Sequence, residues 1–225
     1  MTPRPGEPRP GPGRRELQRL ATERLIRATA LELFVAQGFE ATTTKQIADE
    51  AGVAHGTVFL VAATKEALLV RVLEERLRAI VVARTRSLPK RRIEVQLRHV
   101  FDGLFDFYAS EPQLSRGFLR AIMFFAEPVA KAQYDEHVAR FSTYLASLFE
   151  AAKGRGEIAA RTESDAAAAS VLALYVYAVI SFLNEAQPDR RALGDRFRAG
   201  VASLFRGLRP VARPTRASTR RRRSP

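Results

Sequence analysis

Apolar residues recur at three- and four-residue intervals from Glu16 almost to Leu208, and few stretches alternate apolar and polar in the manner of strands. The pattern predicts an all-α protein. A first helix is expected over residues 16–37, with Leu20, Ile26, Ala30, Leu33 and Phe34 near one stripe and Gly38 as its stop. Thr43 and Gln46 have the spacing of a capping box, in which the hydroxyl accepts the amide three residues on and the glutamine reaches back. A short helix therefore begins there and ends at Ala51. Gly52 supplies the left-handed backbone that a tight interhelical turn needs, Val53 and Ala54 complete the turn, and a second short helix starts near His55. A longer helix capped by Thr64 runs to about Ser87, ahead of Pro89. Five more are predicted over residues 93–109, 113–125, 129–153, 164–184 and 190–208, separated by Pro112, Pro128, the stretch KGRGEI and the stretch QPD.

Charge changes this picture at the two ends. The net charge is +13, yet residues 1–15 carry four Arg and one Glu, and residues 206–225 carry eight Arg and no acid, so the body between is nearly neutral. Basic ends suit a polyanionic partner. The chain thus divides into a disordered basic arm (1–15), a head (16–70), a helical body (71–208) and a disordered Arg-rich tail (209–225). The arm has no apolar run after its basic residues, so it does not read as a signal peptide.

The absence of cysteine excludes disulfides, thiolate metal sites and cysteine nucleophiles, and suits a cytoplasmic protein. No nucleophile motif or Gly-rich phosphate loop is present, so catalysis is not expected. His99 and His137 lie far apart and neither has acidic neighbours at ligand spacing on one helix face, so no metal and no cofactor is expected. Residues 166–183 contain no charge and are long enough to be weighed as a membrane span. Their alanine content, the acidic Glu163 and Asp165 ahead of them and the lack of basic flanks favour a buried bundle helix. The stripe Leu193, Phe197, Val201, Leu204 and Phe205 supplies its companion.

Two short helices joined by a glycine turn place the second against a major groove, where the first residues reach base edges. His55, Gly56 and Thr57 occupy that place. Lys65 is expected to offer a point charge to a phosphate. The run GFEATTTKQIADEAGVAHGT, followed by TKEALL, resembles the DNA-binding domain of the TetR (tetracycline-repressor-like) family of transcriptional regulators over residues 16–70. The resemblance implies a homodimer formed by helices Ser164–Asn184 and Arg190–Leu208, binding double-stranded DNA at a near-palindromic operator. It also implies a small apolar or aromatic effector bound among the central helices, with repression as the default sign. The joint between the helices starting at Thr64 and Ile93 is the expected point of coupling.

The DNA-binding set expected on this basis is Arg14, Arg15, Thr43, His55, Gly56, Thr57, Phe59 and Lys65. The effector set is Phe105, Tyr108, Phe118, Phe124, Tyr144 and Tyr175, with His99 or His137 as a polar anchor. Three positions depart from the family pattern. Phe59 keeps a ring without a hydroxyl, Val61 has no hydrogen bond to give a phosphate, and Ala62 replaces a large packing group. With five basic against seven acidic residues over 16–70, the head carries about −2, so phosphate attraction falls to Arg14, Arg15 and the arm. The competing reading is a dimeric ligand-binding or protein-interaction module whose head has weakened or lost its grip on DNA.

Overall fold

The structure, a computed structural model, describes residues 13–124 and 128–208. Among these residues there are nine helices and no strand: α1 (Arg14–Gln37), α2 (Thr44–Glu50), α3 (His55–Val61), α4 (Lys65–Arg86), α5 (Ile93–Ser110), α6 (Pro112–Met123), α7 (Pro128–Gly154), α8 (Ser164–Asn184) and α9 (Arg190–Leu208). Two boundaries correct the sequence reading. α1 takes in Arg14 and Arg15, which had been placed in the arm, and α6 stops at Met123 rather than Phe125. The rest of the basic arm, residues 1–12, and the Arg-rich tail lie outside the described residues.

Local chemistry accounts for the head. Thr43 accepts the Gln46 amide at 3.1 Å while Gln46 Oε1 accepts the Thr43 amide at 2.8 Å, and a hydroxyl cap of this kind contributes about 1 kcal/mol over alanine. Gly52 holds φ +63°, the left-handed conformation of the turn into α3. Thr64 caps α4 by accepting the Ala67 amide at 3.0 Å. The four helices close over Ile26 and Phe34 of α1, Ile47 and Ala48 of α2, Val58 and Val61 of α3, and Leu68 and Leu69 of α4, all buried.

α4 runs on from this head core into the body, where it packs against α5, α6 and α7. At its far end a Cβ on Gly103 would sit 2.6 Å from Arg84 Nε, so the bare glycine lets α4 and α5 approach closely. His99 completes the joint: its Nε2 lies 3.2 Å from the Arg84 carbonyl and 3.1 Å from the Ser87 hydroxyl. It is thereby a cap on the last turn of α4 rather than an anchor in an effector pocket. α6 reaches back to the head, with Gly117 placed so that a Cβ would meet Leu69 at 3.4 Å and Phe39 at 3.8 Å.

Candidate nucleic-acid interface and sensor core

α3 has seven residues at about 100° each, so its faces follow directly from register. Val58 and Val61 turn inward and are buried, and half a turn away lie Gly56 and Leu60. Leu60 is 84% exposed and Phe59 45% exposed. The outward face is thus the one that a groove would meet. His55 sits beside it, with Nε2 3.0 Å from the Thr44 hydroxyl and its ring edge-on to Phe59 at 5.1 Å between centroids. Those two contacts hold the imidazole in one orientation across the α2–α3 turn. Thr57 is half-buried, and Gly56 has open space where a Cβ would stand.

Of the departures from the family pattern, Val61 and Ala62 are buried and serve packing, so the exposed tip of α3 belongs to Phe59 and Leu60. The sequence reading missed Leu60. Its signal was present, because an apolar residue two positions from Val58 on a helix faces away from the side that Val58 buries. Thr43 is exposed, but its hydroxyl is engaged in the cap of α2. Arg14 and Arg15 are exposed on the first turn of α1.

The structure reassigns Lys65. Its ammonium donates to the carbonyls of Phe39 at 2.8 Å and Thr42 at 2.9 Å, with a longer approach to Glu40 at 3.4 Å, and it stands 4.3 Å from the centre of the Phe39 ring. The carbonyls at the α1–α2 turn leave no donor facing a phosphate and use the cation to pin that turn to the start of α4. Replacing Lys65 with Met keeps the aliphatic stem and removes the charge. We expect a loss of about 2–3 kcal/mol of stability, since hydrogen bonds to charged groups are strong and the two carbonyls lose their donor. The same variant distinguishes the two roles by salt: a lost phosphate contact would reduce the slope of log affinity against log salt by about 0.9 per protomer, whereas a clamp leaves it unchanged.

In the body, three of the aromatic residues expected to line a pocket, Phe105, Tyr108 and Tyr175, join a packed aromatic centre instead. Phe101 lies 5.1 Å from Tyr175, 5.7 Å from Phe141 and 4.7 Å from Phe197, and Phe105 lies 5.2 Å from Phe197 and 5.9 Å from Tyr175. Tyr108 and Tyr175 share a hydrogen bond at 2.8 Å. Burial raises both hydroxyls well above the ordinary phenol range, so this pair stays neutral. Phe105 and Tyr108 are therefore buried core, with the half-buried Tyr175 packed against them. Phe124 is 77% exposed just past the end of α6 and faces no interior, which corrects its place in the effector set.

A second group of side chains lies along α7, on a face turned to α4, α5 and α6. Tyr134, His137, Phe141 and Tyr144 follow one another at three- and four-residue steps on α7, facing Phe118 of α6, Glu74 of α4 and Phe101 of α5. His137 Nδ1 meets the Glu74 carboxylate, while burial first and the Arg140 guanidinium second hold the imidazole below its usual pKa. The Tyr144 hydroxyl on α7 and the Ser115 hydroxyl on α6 are buried with no hydrogen-bond partner among the described residues. A buried hydroxyl left unpaired is costly, and these two lack the partner that such a group ordinarily has. Among the described residues no three His, Asp or Glu converge as metal ligands.

The exterior of α8 carries a second surface. Ala166, Ala169, Ala173, Val176 and Tyr177 are all exposed along one uncharged stripe. α8 has a mean hydropathy of 2.1 over its most apolar window, long and apolar enough to cross a membrane by length and composition, yet it packs against α7 on one side and α9 on another.

Residues 26–72 match the sequence model of the bacterial regulatory proteins of the tetR family. Over most of its length the chain shares the fold of Thermus thermophilus FadR, a TetR-family transcriptional repressor solved in complex with lauroyl-CoA. That match has a TM-score of 0.69 at 24% identity and covers 85% of this chain and 98% of that one. FadR from Bacillus halodurans, a fatty acid degradation regulator, matches with a TM-score of 0.64 at 19% identity, covering 83% of this chain and 99% of that one. FadR from Bacillus subtilis, a transcriptional regulator solved with stearoyl-CoA, matches with a TM-score of 0.61 at 17% identity, covering 82% and 98%. No curated protein matches the chain.

Proposed function

We propose that this chain, whose residues 26–72 match the tetR-family model, is a ligand-responsive transcriptional regulator, a repressor by default, that binds a near-palindromic operator as a homodimer. The observation that carries the reading is the outward face of α3, braced from behind by a capped α2 and by the Lys65 clamp. A helix used only for packing has no need of an exposed Gly56–Leu60 face or of an imidazole fixed beside it. Arg14 and Arg15 at the start of α1, with the arm before them, supply the phosphate attraction that an otherwise acidic head lacks. The site residues proposed for DNA are thus Arg14, Arg15, His55, Gly56, Thr57 and Phe59, with Thr43 and Lys65 holding the frame.

The exposed stripe of α8 supports dimerisation through α8 and α9, since an uncharged helix face of this length is unfavourable in water. A two-fold axis there sets the two α3 helices about one DNA turn (roughly 34 Å) apart, or a small multiple of it, which makes the operator symmetric. The working compartment on this reading is the cytoplasm, and no chemical turnover is involved.

The effector site proposed here lies along α7, with Ser115, Phe118, His137 and Tyr144 around an apolar molecule bearing a polar end. Long-chain acyl-CoA thioesters, seen with two relatives of the same fold, are the first ligands to test. A ligand shifts DNA affinity only through a difference between its affinities for the two conformations. The seat of Gly117 against Phe39 and Leu69 gives α6 a direct route from that site to the head, beside the α4–α5 joint.

Selection of bound sequences from a random DNA pool by the full-length protein tests the reading. We expect an enriched inverted repeat, and a salt dependence of its affinity that flattens when Arg14 and Arg15 are both replaced by alanine. Enrichment of nothing, with salt-labile nonspecific binding alone, would instead support the module with a decayed head. Lauroyl-CoA is then expected to raise the melting temperature of the protein and to lower its affinity for the selected repeat.

A further inference from the structure

The outward face of α3 has an unusual chemistry for a base reader. Its exposed side chains come from His55, Phe59 and Leu60, with Thr57 half-buried and Gly56 bare, and none is a Lys, Arg, Asn or Gln. The strong pairings of direct readout, Arg or Lys with guanine and Asn or Gln with adenine, have no donor on this helix. His55 has one ring nitrogen committed to Thr44 at 3.0 Å and its edge turned to Phe59. What stands furthest out is the isobutyl group of Leu60, 84% exposed, next to a glycine at i−4 that leaves the backbone uncovered. The major groove offers one apolar partner to such a group, the C5-methyl of thymine.

Resting on the DNA-binding reading above, we infer that Leu60 is a specificity-determining residue that reads a thymine methyl group in each half of the operator, with Phe59 closing the side of the contact. The placement follows from geometry already described. Val58 and Val61 fix the inward face of α3, so its register leaves Leu60 no other direction than away from the protein. A contact of this kind carries no charge, so it adds sequence preference without adding salt dependence. Burying one methyl group changes affinity by about fourfold, and two symmetry-related contacts by about fifteenfold.

Deoxyuridine scanning of the selected inverted repeat tests this, because uracil lacks only the methyl and keeps the base-pairing edge. With the full-length protein we expect one symmetric pair of thymines at which replacement in both half-sites weakens binding about fifteenfold. In the Leu60→Ala protein that same replacement is expected to change affinity by less than about twofold, while other positions respond as before. Leu60 is too exposed for this truncation to disturb the fold, and an unchanged circular dichroism spectrum checks that. An enriched repeat with no uracil-sensitive position, or a sensitivity that Leu60→Ala leaves intact, overturns the assignment and leaves the DNA-binding reading standing. Failure to enrich any sequence overturns both.

Discussion

Replacing Tyr177 with Glu is expected to convert the protein from dimer to monomer and to lower its affinity for a palindromic operator by about 10²–10⁴-fold, the range that a second tethered site contributes. Tyr177 is 62% exposed on the uncharged stripe of α8, with Val176, 45% exposed, beside it. Near a two-fold axis each substitution enters the interface twice, and each carboxylate would be taken out of water without a cation on the stripe to meet it. The folded protomer has no such difficulty, because the side chain already faces solvent. Sedimentation velocity reads the mass and circular dichroism the helix content. A variant that stayed dimeric would place the interface elsewhere and remove the argument from the α8 stripe.

Phe101→Ala is expected to cost about 3–5 kcal/mol, the usual penalty for emptying a large aromatic site in a core that relaxes only partly. The reason lies in what the ring joins. Phe101 is fully buried on α5 and faces Phe141 of α7, Tyr175 of α8 and Phe197 of α9, so one truncation loosens four helices together. Urea denaturation at fixed protein concentration measures the loss, since dissociation of a dimer makes stability concentration-dependent. Phe124→Ala supplies the contrast. Its ring is largely in water, and the change should stay within about 0.5 kcal/mol of zero, as for other surface substitutions. Equal penalties for the two would mean that the aromatic centre is looser than its ring distances imply.

These two phenylalanines also mark how far reading the chain alone can go. Helical spacing placed the aromatic residues of the body on its helices, and the family resemblance gave Phe105, Tyr108, Phe118, Phe124, Tyr144 and Tyr175 equal standing as effector contacts. In the fold they separate into a packed centre, an exposed ring at Phe124, a buried Phe118 set against Tyr134, and Tyr144 with an unpaired hydroxyl on α7. Spacing records which side of its own helix a residue occupies. It carries no information on which other helix arrives at that side, and that arrival decides between core, surface and pocket.

What the sequence by itself determined is local: the helical class, the capping box of Thr43 and Gln46, the left-handed Gly52 and the start of α3 at His55 are set by groups within four residues of one another. Short-range hydrogen bonds and steric limits on the backbone act there regardless of the rest of the chain. The outward direction of Leu60 belongs to the same class, being a matter of helical register. The tertiary structure alone decided the role of Lys65, because the carbonyls that hold it lie 23 to 26 residues away across the α1–α2 turn. It likewise decided that His99 caps α4 and that α8 keeps an apolar stripe in the open, since both depend on where α4, α5, α7 and α9 meet. Long-range packing sets which polar group finds a partner and which apolar face remains uncovered, and neither is encoded within any single helix.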